Sequence, residues 1–174
     1  MSIILIGFKG VGKTTLGKKI ANLLRWEFLD TDYLIEGTYM DLGHEHKNVH
    51  EIHKELGEEG FRRIEHQSLK VLRPVDKQII AVGGGTVINP DSVEILRGIG
   101  RFVYLAKDKD AIFKDLTSKK IPSFLNPEDL EGSFESMYHN RLAIFESLAE
   151  VKIDLSKHKE AEVLAKLYEV ALKV

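Results

Sequence analysis

The chain has 174 residues, with 25 Lys and Arg against 27 Asp and Glu and no Cys. That length fits one domain, and a hydrophobic content of 43% supplies a sizeable core and excludes wholesale disorder. The lack of Cys excludes disulfide scaffolds, Cys-type zinc sites and thiol nucleophiles; a net charge of −2 gives no general pull toward nucleic acid or anionic lipid; and no apolar run approaches the ~18–20 residues that span a bilayer.

The elements alternate between two periodicities. Residues 2–6 form a short β-branched run ending at Gly7 and read as a buried strand. Leu16, Ile20, Leu23 and Leu24 give residues 14–24 a helical spacing. A second strand is predicted at 27–30, and a helix at 52–72 broken near Gly57 and Gly60. A third strand at 78–82 runs into three glycines, and a short helix at 91–97 stands behind Pro90. A fourth strand at 101–105 precedes a helix at 108–116 capped by Asp108. A long helix at 128–148, a fifth strand at 151–155 and a closing helix at 160–172 complete the chain. Strands separated by helices predict a parallel sheet covered on both faces. Residues 40–48 read as an irregular His-rich stretch, and 117–131, with Pro122 and Pro127, as a flexible loop.

Four motifs carry chemistry. Gly7-Phe8-Lys9-Gly10-Val11-Gly12-Lys13-Thr14 matches G-x-x-x-x-G-K-[ST] at every specified position, between a predicted strand and a predicted helix. The glycines let the backbone wrap a phosphate chain, and amides at the helix N-terminus point at the anion. Lys13 then supplies charge to the β- and γ-phosphates, and the Thr14 hydroxyl is placed for Mg²⁺. Asp30-Thr31-Asp32 ends the second strand, where open α/β sheets bind ligands. One carboxylate there suits a metal and the other a substrate hydroxyl, or either caps the following helix. In Phe61-Arg62-Arg63-Ile64-Glu65, Arg62 and Glu65 share a helix face. They form either an oriented fork for a carboxylate ligand or an ordinary surface ion pair. Gly83-Gly84-Gly85 follows a strand, and either lets a small ligand approach backbone amides or makes a tight turn.

In order and spacing these motifs resemble the shikimate kinase family: a Walker A loop, an Asp-x-Asp after the second strand, a Phe-Arg-x-x-Glu helix and a Gly-Gly-Gly after the third strand. A late Arg also fits, in Asn140-Arg141-Leu142-Ala143-Ile144-Phe145. The resemblance implies ATP-dependent phosphorylation of the 3-hydroxyl of shikimate, on the way to chorismate and the aromatic amino acids. It implies a P-loop kinase, an α/β three-layer sandwich with a five-stranded parallel sheet of order 2-3-1-4-5, in one domain covering residues 1–174. Within it, a substrate-binding region is expected at about 32–73 and a lid at about 117–131.

Carried over by position, Gly10, Val11, Gly12, Lys13, Thr14 and Thr15 surround the nucleotide, and Thr14 and Asp30 serve Mg²⁺. Asp32 resembles the carboxylate that binds the shikimate hydroxyls and either orients or deprotonates the attacking one, and Lys13 and Arg141 stand with it as catalytic residues. Arg62 and Arg141 resemble the grip on the substrate carboxylate, and Gly83, Gly84 and Gly85 the loop on its ring. Lys114 lies near an adenine-stacking position, and Ser156 and Lys157 are weaker adenine candidates. The expected partners are shikimate and ATP, with no nucleic acid and no membrane, in a monomeric cytoplasmic protein.

Two departures stand out. The family's lid carries an Arg-Pro pair, whereas Ile121 precedes Pro122 here, leaving Lys119 and Lys120 as the expected lid charges. The segment from Ile35-Glu36 to Gly57-Glu58 is several residues longer than the family pattern and carries His44, His46, His50 and His53, read as a solvated insertion rather than a metal site. Two rivals remain at this stage: another small P-loop kinase acting on gluconate or a nucleoside monophosphate, and a nucleotide-binding pseudo-kinase. A GTPase fits less well still, because Asn-Lys-x-Asp is absent and the Asp-x-x-Gly of residues 129–132 lies in the expected lid, far from any strand end.

Overall fold

Strands β1 (Ser2–Ile6), β2 (Glu27–Asp30), β3 (Gln78–Ala81), β4 (Gly100–Ala106) and β5 (Val151–Asp154) pair in parallel, in the spatial order β2-β3-β1-β4-β5. The structure, a computed structural model, describes residues 1–118, 121–122 and 124–173. All five residues of β1 are buried. Because successive strand side chains point to opposite faces, both faces of the sheet centre are covered. Helices α1 (Lys13–Leu24), α2 (Thr31–Asp41), α3 (Val49–Leu69), α4 (Pro90–Arg97), α5 (Lys109–Thr117), α6 (Leu130–Leu148) and α7 (Glu160–Ala171) supply the cover. Ile3, Ile4, Leu5, Val103 and Leu105 are fully enclosed, each contributing roughly 1.5–3 kcal/mol of burial.

Register places the site. Leu5 of β1 is level with Ala81 of β3, and Ala81 with Asp30 of β2. The chain therefore leaves three neighbouring strands at one edge, into the Gly7–Lys13 loop, the Asp30–Asp32 turn and the Gly83–Gly85 loop. Beside this edge α2 and α3 enclose a small second core of Ile35, Tyr39, Ile52, Phe61 and Ile64.

The strands lie within a residue or two of their predicted places. Helix α2 was not predicted: of its eleven residues only Thr31, Ile35 and Tyr39 are buried, so it carries little apolar periodicity. Helix α3 starts three residues before the predicted 52, at a capping box of Asn48 and Glu51, and ends at Leu69. The expected break occurs at Gly57 (φ 68°, ψ 180°), and Gly60 stays helical. Helix α6 starts at Leu130 rather than 128, because Asp129 accepts from the Gly132 amide as its cap.

Two further expectations are corrected. The 117–131 segment, read as a flexible loop, is partly built into the fold: Thr117 belongs to α5, Leu125 is 3% exposed, and Ile121 and Phe124 pack on the main core. The His-rich insertion is not simply solvated, since the His44 ring stacks on Tyr39 at 4.2 Å and His53 packs on Phe61 at 5.0 Å. Among the described residues no group of three or more His, Asp or Glu is arranged to hold a metal ion. Among the described residues no helix is long and apolar enough to cross a membrane.

Candidate active site

A cavity of about 380 Å³ opens at the shared strand edge, within the range of small-molecule sites. Lys13, Thr14, Asp32, Arg62, Gly84 and Arg141 all contribute to its wall. The sequence scatters them over more than a hundred positions, and the sheet order brings them together.

The Gly7–Lys13 loop is built by backbone constraint. Gly7 has φ +145°, and a Cβ there would lie 2.6 Å from the Leu105 carbonyl oxygen of β4. Any side chain at Gly7 would push the loop off the sheet. Lys13 is 8% exposed, and its Nζ donates to the carbonyls of Gly7 (2.8 Å) and Phe8 (2.9 Å). Its ammonium thus holds the loop's own backbone, and burial draws its pKa down to about 8 against the upward pull of Asp32 and Asp30. Gly10, Gly12 and Thr15 line the cavity with it. Val11 does not: its side chain is buried in the main core and its amide donates to the Phe8 carbonyl at 3.5 Å.

Asp30 does two jobs. Its Oδ1 accepts from the Asp32 amide at 3.1 Å, capping α2, while its Oδ2 accepts from the Thr14 hydroxyl at 2.6 Å. Capping and a metal role, posed as alternatives by the sequence, are thus compatible. Two hard oxygen donors at the phosphate loop suit Mg²⁺, which binds through one or two protein oxygens together with substrate phosphates. Asp32, one residue into α2, is held up to about 6 by burial first and by the neighbouring Asp30 charge second, against the pull of Lys13.

The two arginines face the same cavity from different elements. Arg62 Nη1 donates to Glu65 Oε2 (2.5 Å) and its Nε to Glu58 Oε1 (2.8 Å). Glu65 is 2% exposed and also accepts from the Thr86 hydroxyl at 2.7 Å, which locks the fork's support in place. Burial disfavours the Arg62 charge, but Glu65 and Glu58 outweigh it and raise the pKa. Gly85 is glycine because Arg62 lies over it: a Cβ would fall 2.5 Å from Nη2. Arg141 of α6 is 7% exposed and donates to the Gly84 carbonyl at 3.3 Å. Burial and the like charge of Arg62 lower it to about 10, so it stays cationic at neutral pH. Two guanidinium groups, one buried and one half-buried, repelling each other across one cavity are arranged for an anion.

Several contributors were not singled out from sequence. Glu58 stands four residues before Arg62, a legible helix spacing. Thr31, whose hydroxyl oxygen accepts from the Gly83 amide at 3.3 Å, and Thr86 have no such signal. Phe124, whose ring lies 4.9 Å from the Arg141 guanidinium carbon, has none either. Lys114 is exposed on α5, away from the cavity wall. The Ser156 hydroxyl accepts from the Asp108 amide at 2.8 Å, and Lys157 pairs with Asp154. Lys119 and Lys120, the expected lid charges, lie outside the described residues.

Comparison with known proteins bears on this arrangement. The family model described as Shikimate kinase matches residues 9–172. A shikimate kinase of Alkaliphilus oremlandii is 34% identical over 165 residues, covering 94% of each chain. One of Thermodesulfovibrio yellowstonii is 33% identical over 172 residues, covering 97% of this chain and 95% of its own. In structure, the shikimate kinase of Acinetobacter baumannii in complex with shikimate superposes with a TM-score of 0.82 at 27% identity, over 99% of this chain and 93% of that one.

Proposed function

The chain belongs to the shikimate kinase family, and on that premise we propose that it transfers the γ-phosphoryl group of ATP to the 3-hydroxyl of shikimate, giving shikimate 3-phosphate and ADP. The observation that carries the reading is the single cavity in which a phosphate-binding loop and two converging arginines meet across Asp32.

The geometry supports the following division of labour. The loop around Gly10, Val11, Gly12, Lys13, Thr14 and Thr15 receives the phosphates, and Lys13 exchanges its contacts with the Gly7 and Phe8 carbonyls for phosphate oxygens. Thr14 and Asp30 would hold Mg²⁺, which when bound neutralises charge on the β- and γ-phosphates. Arg62 and Arg141 take the shikimate carboxylate, and Gly83–Gly85 lies along the ring. This fixes one end of the acceptor so that its hydroxyl is in line with the transferred phosphorus. Asp32 accepts the hydroxyl proton; with a pKa near 6 it is ionised at neutral pH yet more basic than an ordinary carboxylate.

The working unit is one domain over residues 1–174, with a substrate-binding region at about 32–73 and a lid at about 117–131. The second core beneath Phe61 supports the former, and the Phe124 contact with Arg141 supports closure of the latter. Lys114 remains the proposed contact for the adenine. The reading takes the protein as a cytoplasmic monomer that binds neither nucleic acid nor membrane.

The test is ADP release measured with no acceptor, with shikimate, with gluconate and with a nucleoside monophosphate. Release that depends on shikimate alone supports the reading. Release with another acceptor, or with none of them, overturns it.

A further inference from the structure

Phosphoryl transfer spreads negative charge over the equatorial oxygens of the moving group, and catalysis depends on cations placed around it. At the lid position where the family pattern has an Arg, this chain has Ile121, half-buried against the main core. Among the described residues, the Lys and Arg side chains that line the cavity are Lys9, Lys13, Arg62 and Arg141. Three of these have partners: Lys13 on the Gly7 and Phe8 carbonyls, Arg62 on Glu58 and Glu65, and Arg141 on the Gly84 carbonyl and the Phe124 ring. Lys9 is exposed and makes no ion pair or side-chain hydrogen bond with any described residue.

Its position is specific. Lys9 sits in the phosphate loop between Phe8 and Gly10, and a Cβ on Gly84 would come within 3.0 Å of its backbone nitrogen. It therefore stands where the phosphate loop and the acceptor loop touch, the seam a phosphoryl group crosses between donor and acceptor.

We propose that Lys9 is a catalytic residue of this chain, whose ammonium contacts the phosphoryl group during transfer and supplies the charge that Ile121 cannot. The proposal rests on the shikimate kinase reading above. In the step, the bond from the γ-phosphorus to the β–γ bridging oxygen breaks and its electron pair stays on ADP. The shikimate 3-hydroxyl oxygen forms the new bond to phosphorus, and its proton passes to the Asp32 carboxylate. Lys9 gives up no proton; it compensates charge on the non-bridging oxygens.

The test compares wild type with Lys9→Met and Lys9→Arg by steady-state kinetics in both substrates, by thermal melting, and by the affinity of ADP with aluminium fluoride in the presence of shikimate. Lys9→Met lowers kcat at least about tenfold, with both KM values within about threefold of wild type and an unchanged melting temperature. It weakens the aluminium fluoride complex by a similar factor, while ADP alone binds as before. Lys9→Arg keeps most of the rate, and Ile121→Arg restores part of it in the Lys9→Met background. A kcat within twofold of wild type in Lys9→Met, or a loss confined to the KM for ATP, overturns the proposal. If Lys9→Met melts early, Lys9→Gln is read by the same criteria. A wild-type protein with no shikimate-dependent ADP release instead overturns the functional reading itself.

Discussion

The ring of Phe124 lies 4.9 Å from the guanidinium carbon of Arg141, so Phe124 covers the cation proposed to hold the acceptor carboxylate. A contact of this kind is worth about 0.5–2 kcal/mol. It would tie the position of the proposed lid to that of Arg141. Phe124→Ala is expected to raise the KM for shikimate about two- to tenfold and to leave the KM for ATP nearly unchanged. Equal effects on both substrates would show that Phe124 does not act through Arg141.

Arg62→Ala and Arg141→Ala should each weaken shikimate binding by about 2–4 kcal/mol, because truncation leaves a substrate carboxylate partly unpaired. ATP binding should change far less. Gly85→Ala offers a second route to the same effect, since the new methyl would meet Arg62 Nη2 at 2.5 Å. The end of a flexible side chain can move aside, so the fold should survive while the fork is displaced. Titration calorimetry with each ligand separates these outcomes, and unaltered shikimate affinity in Gly85→Ala would contradict the placement of Arg62.

Asp32 links activity to stability. Its pKa is raised from 3.8 to about 6. Below about pH 4 it is protonated in both folded and unfolded chains and costs nothing. Between about pH 4 and pH 6 the unfolded chain gives up this proton while the folded chain keeps it, so stability falls across that window by no more than about 3 kcal/mol and is level above it. Asp32→Asn should therefore melt higher than wild type above pH 6 and match it near pH 4. It should also lower kcat at least about tenfold and remove the acidic limb near pH 6 from the rate profile. A variant that keeps both the limb and the rate would show that Asp32 takes no proton.

Asp30→Asn separates the two duties of Asp30. Asn caps helices as well as Asp does, so the bond from the Asp32 amide survives. The charge beside the Thr14 hydroxyl does not. The expected result is an unchanged melting temperature with a several-fold higher Mg²⁺ requirement. Thr14→Ala should act in the same direction, and chelation should stop turnover without unfolding the protein. An unshifted Mg²⁺ dependence in both variants would place the metal elsewhere.

What the sequence made legible follows from where information is local. The phosphate loop, the Asp30–Asp32 turn and the triple glycine each sit directly after a strand, and the parallel order of the sheet puts all three at one edge. Arg62 and Glu65 were readable from helix spacing alone. Helix α2 was not, because its burial reduces to Thr31, Ile35 and Tyr39 under a cap that also reads as a catalytic motif. The packing within 117–131 was hidden for a related reason. Pro122 and Pro127 signal a loop, but only the tertiary fold shows Leu125 in the core and Phe124 on Arg141. The motif points Lys13 at phosphate; its contacts to the Gly7 and Phe8 carbonyls, which make it also part of the loop's framework, have no signal in the sequence.

The most direct test of the central claim is the identity of the product. Incubation with ATP, Mg²⁺ and shikimate, followed by phosphorus and proton NMR of the quenched mixture, locates the transferred group. A phosphomonoester resonance coupled to the proton on ring carbon 3, formed in equal amount with ADP, is the result expected from an acceptor held by Arg62 and Arg141 with its hydroxyl at Asp32. A phosphate on a different ring oxygen, or ADP accompanied only by inorganic phosphate, would contradict it.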